Sequence, residues 1–265
     1  MTNKPLVSVV IPTKNSEVTI EKCLRSVRGQ AYSRIEIVVV DAFSRDGTRK
    51  IAEAFGAKIL ETGVNRSEAR NIGAEKSRGW FVFFVDSDME LIPSVVEECI
   101  SKIGEGFCGV IVPEISVGKG FWAKCKALEK SCYIGDDTIE AARFFKKCVF
   151  DGVGGYDLEL EAGEDWDLNH RVKRAGYRIG RVNAFIKHDE GRLSLQKTIL
   201  KKYHYGKTLQ SYRTKNPEEA KQQSMLIRPA FVRNWRALAR DPSHTLGMFV
   251  MKTCEFLASG VGVLG

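Results

Sequence analysis

Several common signatures are missing from this chain. The seven cysteines (Cys23, Cys99, Cys108, Cys125, Cys132, Cys148 and Cys254) are odd in number and widely spaced, and none forms a Cys-x-x-Cys pair. That excludes a disulfide framework and a zinc knuckle and reads as free thiols in a reducing compartment. There is no Gly-x-Gly-x-x-Gly and no Walker loop, so neither common backbone cradle for phosphates is encoded. No signal peptide is expected, because Met1 to Pro5 leads directly into an apolar strand. Internal repeats and low-complexity tracts are absent. The apolar stretch from Leu246 to Leu264 is interrupted by Lys252 and Glu255, which makes it too polar for a clear membrane span.

At 265 residues, with 43% hydrophobic and 28% charged side chains, the chain is long enough for a large α/β core with an appendage. Its net charge of +8 is uneven. Residues 192–240 hold twelve Lys and Arg against Glu218 and Glu219, a local balance of +10, which leaves −2 for the rest. Such asymmetry suggests an anionic surface as partner. The apolar tail that follows favours lipid over nucleic acid, as an amphipathic helix at a bilayer interface. A terminal helix packed on the core is the plainer alternative.

Apolar runs at Leu6–Ile11, Ile35–Val40, Lys58–Leu60 and Trp80–Val85 read as strands. Helical spacing over residues 16–29, with Ser16 as candidate N-cap, and over 48–55 and 68–77 separates them. Strand alternating with helix predicts a mostly parallel, doubly wound sheet. Beyond it, Gly109–Pro113 and Tyr177–Val182 read as strands, Phe121–Cys132 and Glu164–Ala175 as helices, and Phe150–Gly163 as a loop. After His188 the chain is expected to be helical and basic.

The polar residues at the strand ends carry the chemistry. Trp80–Val85 runs into Asp86-Ser87-Asp88, and two carboxylates at the carboxyl end of a buried strand suit a hard divalent cation shared with substrate phosphates. A polar turn is the bland alternative. Thr13-Lys14-Asn15 and Asp41 end the first two strands and should converge on the same rim. Glu164-Asp165-Trp166-Asp167 opens a helix, where acids are also expected on electrostatic grounds alone; a carboxylate there is equally a candidate general base. His188, followed by Asp189 and Glu190, is a candidate metal ligand. Glu90 is a weaker one.

Five ordered motifs resemble the family-2 inverting glycosyltransferases of GT-A fold: VSVVIPTKNS, EIVVVDAFSRDGT, ARNIGAEKSRGWFVFFVDSDM, FDGVGGYDLELEAGEDWDLNHRVKRAGYRI, and HDEGRLSL with KKYHYGKTL. The resemblance runs from Val7 to about Gly206. It implies a doubly wound domain over residues 1–191 and a basic, amphipathic, membrane-associating region over 192–265. Pro12, Thr13, Asn15, Asp41, Arg70 and Ser87 would hold the nucleotide, and Asp86, Asp88 and His188 would hold Mg²⁺ or Mn²⁺. Asp165 would be the general base, with Glu164 shaping the acceptor pocket. The donor would be a nucleotide-sugar, GDP-mannose favoured over a UDP-sugar. The acceptor would be lipid-linked or a glycan, at the cytoplasmic face of the membrane, with any anchor beyond this chain. Nucleic acid is not expected as a partner. A non-catalytic membrane-bound scaffold is the remaining alternative. Ala42, where an acid is common, and Lys14, where an aromatic is common, leave the donor base open.

Overall fold

The computed structural model describes residues 4–264 apart from 224 and 226. Strands β1 (Val7–Thr13), β2 (Ile35–Asp41), β3 (Lys58–Glu61) and β4 (Phe81–Phe84) alternate with helices α1 (Ile20–Arg28), α2 (Thr48–Ala54) and α3 (Arg66–Glu75). Next come β5 (Met89–Leu91), α4 (Val95–Gly104), β6 (Gly109–Ile111), β7 (Glu114–Lys119), α5 (Phe121–Ser131), β8 (Ala142–Lys146) and α6 (Lys147–Gly152). They are followed by α7 (Glu164–Arg174), β9 (Ile179–Arg181) and β10 (Ile186–Arg192). The chain closes with α8 (Leu195–Lys215), α9 (Pro217–Gln223), α10 (Pro229–Arg233), α11 (Trp235–Arg240) and α12 (Pro242–Leu264).

Two compact units result. The first comprises Met1–Pro113, Ala141–Leu158 and Asp167–Lys187; the second comprises Glu114–Glu140, Glu159–Trp166 and His188–Gly265.

The first unit is built on a seven-stranded sheet of order β3-β2-β1-β4-β8-β6-β9. β1 pairs in parallel with both β2 and β4, and β2 with β3. β8 is antiparallel to both of its neighbours. The apolar runs are continuous because both faces are covered. On β1, Val7, Val9 and Ile11 join a core with α1 and α4, while Val10 joins a second core with α3, α6 and α7. Pro12 does not end β1, which pairs through to Thr13. Helix α1 begins at Ile20 with Thr19 at its N-cap, not at Ser16. Instead the Ser16 carbonyl closes the preceding turn by accepting from Thr19 and Ile20. In α3 the N-cap is Asn65, whose side chain accepts from the Glu68 amide at 2.9 Å. The loop expected over Phe150–Gly163 is helical at its start, as the end of α6.

In the second unit, β7 lies beside β10, and helix α12 packs against both α8 and α5. Gly206 of α8 faces Ser259 and Gly262 of α12 so closely that a Cβ on either glycine would collide with the opposing backbone. The two charges that interrupt the apolar tail point inward. Lys252 Nζ binds Glu129 Oε1 at 2.8 Å, and Glu255 Oε1 binds Lys126 Nζ at 3.1 Å. Lys126 also reaches the other oxygen of Glu129 at 2.8 Å, and Tyr133 donates to Glu129 at 2.9 Å. Burial by itself would raise the Glu129 pKa, but the two lysines hold it well below the usual carboxylate range. Helix α12 is therefore bolted to α5 by buried charge, while Leu246, Val250, Leu257 and Val261 lie exposed on the opposite face. At 100° per residue these positions share one arc.

Because α5 and α12 meet through Glu129, Glu129→Ala leaves the buried Lys252 ammonium without a carboxylate and takes one of the two carboxylates from Lys126, which keeps Glu255. The substitution is expected to cost about 3–5 kcal/mol in a denaturant titration, far more than removal of an exposed pair such as Arg25–Glu21.

Candidate active site

The β1–β2–β4 register brings the expected donor-side residues onto one rim. Thr13 is opposite Asp41, and Val10 is opposite Phe84, so β1, β2 and β4 release their polar residues at the same edge. The loops are then tied to one another. The Ala42 amide donates to the Thr13 carbonyl at 2.8 Å, and the Thr62 amide to the Asp41 carbonyl at 3.0 Å. Asp41, fully buried, accepts from the Ser44 amide at 2.9 Å and the Ser44 hydroxyl at 2.5 Å. Ser44 Oγ in turn accepts from the Asn15 amide at 2.8 Å, and Asn15 Oδ1 accepts from the Arg45 amide at 2.9 Å. Asn15 holds a positive φ of 49°. Asp41 and Asn15 thus organise the rim, while the buried Thr13 hydroxyl has no hydrogen-bond partner among the described residues and is a candidate for a ligand contact.

The Asp86-Ser87-Asp88 turn joins this rim through Ser87, whose hydroxyl donates to Ser16 Oγ at 3.0 Å. Asp86 is gripped by two arginines. Arg70 Nη2 reaches Oδ1 at 2.9 Å, and Arg143 Nη1 reaches Oδ2 at 3.6 Å. Burial would raise the Asp86 pKa, but Arg70, Arg143 and Arg66 together hold it well below the usual range, so it is a fixed anion near neutrality. Arg70 is itself 1% exposed and lies over the Tyr156 ring at 5.1 Å. Asn71 locks Tyr156 by hydrogen bonds of 2.8 Å to both its amide and its carbonyl. The sequence pointed to Arg70 but missed Arg143, Tyr156 and Asn71. Arg143 lies in β8, a strand without a motif, and only its antiparallel insertion beside β4 delivers the side chain to Asp86.

Among the described residues, no group of three or more His, Cys, Asp or Glu side chains is arranged to hold a metal on its own. The donor chemistry still fits a hard cation: carboxylates of the Asp86-Ser87-Asp88 turn supply oxygen, and Mg²⁺ is commonly completed by substrate phosphates. With both Asp86 oxygens directed to arginines, Asp88 is the better placed carboxylate. Glu90 is half-buried on β5 between the buried Met89 and Leu91.

The remaining candidates belong to the second unit. Glu164 and Asp165 open α7, Glu164 buried and Asp165 half-buried. The preceding Gly163 has a φ of 80°, and a Cβ there would sit 2.9 Å from Tyr212 Cδ2, so only glycine suits this entry. Trp166 fixes the first turn by donating to the Ile139 carbonyl at 2.7 Å and packing on Tyr212 at 5.9 Å. His188 lies within β10, not beyond the end of a strand. Its Nδ1 is 3.0 Å from Glu114 Oε2 and 3.2 Å from Lys130 Nζ, and Lys130 also pairs with Glu190 at 2.7 Å. A carboxylate on one ring nitrogen is the arrangement that orients a ligating imidazole.

Sequence relatives point the same way. Glycosyltransferase AglE of Haloferax volcanii is 38% identical over 194 residues, covering 66% of this chain and 64% of that protein. The GalNAc(5)-diNAcBac-PP-undecaprenol beta-1,3-glucosyltransferase of Campylobacter jejuni is 30% identical over 155 residues, covering 53% of this chain and 49% of its own. The chain thus spans less than two thirds of the length of either relative. Among solved structures, a mannosyltransferase from Pyrobaculum calidifontis in complex with GDP-Man and Mn²⁺ superposes with a TM-score of 0.67 at 19% identity, covering 99% of this chain and 88% of that one. S. aureus TarS 1-349 in complex with UDP-GlcNAc gives a TM-score of 0.59 at 17% identity, covering 98% and 90%. These two likenesses establish the shared GT-A fold. Residues 8–153, more than half of the chain, match Glycosyl transferase family 2, and the chain belongs to that family.

Proposed function

We propose that this chain is an inverting hexosyltransferase that moves a sugar from a nucleotide-sugar to a hydroxyl or phosphate of a lipid-linked or glycan acceptor at the membrane. The observation that carries the reading is the convergence of Thr13, Asp41 and the Asp86-Ser87-Asp88 turn on one rim, with Arg70 and Arg143 fixed beside the carboxylates. A rim that pairs buried carboxylates with buried arginines suits a ligand bearing both diphosphate and hydroxyl groups. In this reading Asp41, Asn15, Pro12 and Thr13 border the nucleoside. Asp86 holds the two guanidinium groups in place, and Ser87 steadies the turn. A divalent cation held by Asp88 would neutralise charge on the leaving diphosphate when bound.

Asp165 is assigned the proton of the acceptor hydroxyl. The acceptor oxygen attacks the anomeric carbon as that proton passes to the Asp165 carboxylate, and the bond to the diphosphate oxygen breaks on the opposite face. Configuration inverts. Glu164 shapes the acceptor side. Donor identity is open between GDP-mannose, which the P. calidifontis neighbour binds, and a UDP-sugar, as bound by TarS. The Campylobacter relative's undecaprenol-linked acceptor favours a lipid diphosphate here.

Residues 192–265 are assigned to membrane association. α12 is long and apolar enough to cross a bilayer, but the inward pairing of Lys252 and Glu255 favours a helix lying in the interface. Its exposed Leu246, Val250, Leu257 and Val261 would enter the acyl boundary, and the basic excess of residues 192–240 would meet anionic head groups at about 1 kcal/mol per Lys or Arg.

Three experiments test this reading. Thermal melts against UDP- and GDP-sugars, with Mn²⁺ or chelator, should show a metal-dependent rise with one nucleotide class; a folded protein that responds to none refutes the donor site. Asp165→Asn should lower turnover about 10²–10⁴-fold while leaving that nucleotide-induced rise intact. In flotation assays the protein should rise with vesicles containing phosphatidylglycerol and much less with pure phosphatidylcholine. Raising salt or introducing Leu257→Glu should weaken the binding.

A further inference from the structure

Phe43 occupies a position that, by its backbone, should belong to glycine. Its φ is 53°, a left-handed conformation that a bulky side chain adopts only under strain. The turn imposes it: Asp41 accepts from both the amide and the hydroxyl of Ser44, which bends residues 41–44 back on themselves. The ring gains no burial in return and is 58% exposed. It rests on Gly63, where a Cβ would meet Phe43 Cε2 at 3.2 Å. That places a flat aromatic face among the loops that follow β1, β2 and β3, which are joined by the Ala42–Thr13 and Thr62–Asp41 hydrogen bonds. Glycine at this position would remove both the strain and the exposed apolar surface. Folding gives no reason for the ring.

We infer that Phe43 is the stacking platform for the nucleobase of the donor, an inference that rests on the nucleotide-sugar reading above. Three features support it. The ring is flat, large and open to solvent on one side. Its backbone is fixed by a hydrogen-bonded turn and its edge lies against Gly63, which limits the freedom lost when a base is laid on it. It is two residues from the buried Asp41, which orders the rim. Stacking on an aromatic tolerates every base, because each has a π-face. Phe43 therefore supplies affinity for the nucleoside, and the choice between guanine and uracil falls to the polar groups around it.

The strain makes the inference separable from a structural role. Phe43→Gly should raise the melting temperature of the ligand-free protein by roughly 2–4 °C. The same change should weaken binding of UDP or GDP, whichever the wild type prefers, by roughly 5- to 150-fold. Phe43→Tyr, which keeps the ring, should bind the nucleotide nearly as well as the wild type. Calorimetric titration with UDP and GDP against the three proteins reads all of this. Undiminished affinity in Phe43→Gly overturns the inference, as does a loss equally large in Phe43→Tyr. A lower melting temperature in ligand-free Phe43→Gly also overturns it, by showing that the ring is needed for packing. Failure of the wild type to bind any nucleotide instead removes the donor reading itself.

Discussion

The structure depends on the in-register parallel pairing of β1 with β2 and β4. Both faces of these strands are buried, so apart from Ser8 and Glu36, which hydrogen-bond to each other near the strand starts, their side chains are apolar until the strands approach the rim. The ligand-facing polar groups therefore gather at the carboxyl ends of the strands, and the shared register stacks those ends on one rim. Thr13, Asp41 and Asp86 are neighbours for that reason, and the loops after β1, β2 and β3 can cross-brace through their backbones.

Electrostatics then divides the work within the rim. Burial alone would push the Asp86 carboxyl up; Arg70 and Arg143 hold it well below the usual carboxylate range, so that it positions two cations. Arg70 is almost wholly buried, and its charge is tolerable because Asp86 and the Tyr156 face both receive it. The effect is a rigid cationic pair beside a carboxylate turn, with no glycine-rich phosphate loop. The second unit uses buried charge differently. Lys126, Glu129, Lys252 and Glu255 join α5 to α12 and turn what looked like polar interruptions into an internal fastening. The exposed face of α12 carries Leu246, Val250, Leu257 and Val261.

Much of this was legible from local pattern. Uninterrupted apolar runs located β1, β2 and β4, helical spacing located α1 to α3, and the strand-end polar residues followed from where those runs stop. The ordered motifs carried the family. Boundaries were less exact: Pro12 sits inside β1 because its missing amide is tolerated there, and Ser16 serves a turn ahead of α1. β10 runs through His188 to Arg192 despite its polar sequence because it is paired beside β7.

The sequence by itself determined the alternation of strand and helix, the rim residues and the basic, apolar character of the C-terminal region, because periodicity and turn chemistry act over a few residues. Only the tertiary structure decided that β8 inserts antiparallel and brings Arg143 to Asp86, that Lys252 and Glu255 face inward, and that Phe43 is held at positive φ over Gly63. Each of these rests on a partner far away in the chain. Its position is fixed by packing and by the need to pair buried charge, which no local pattern records.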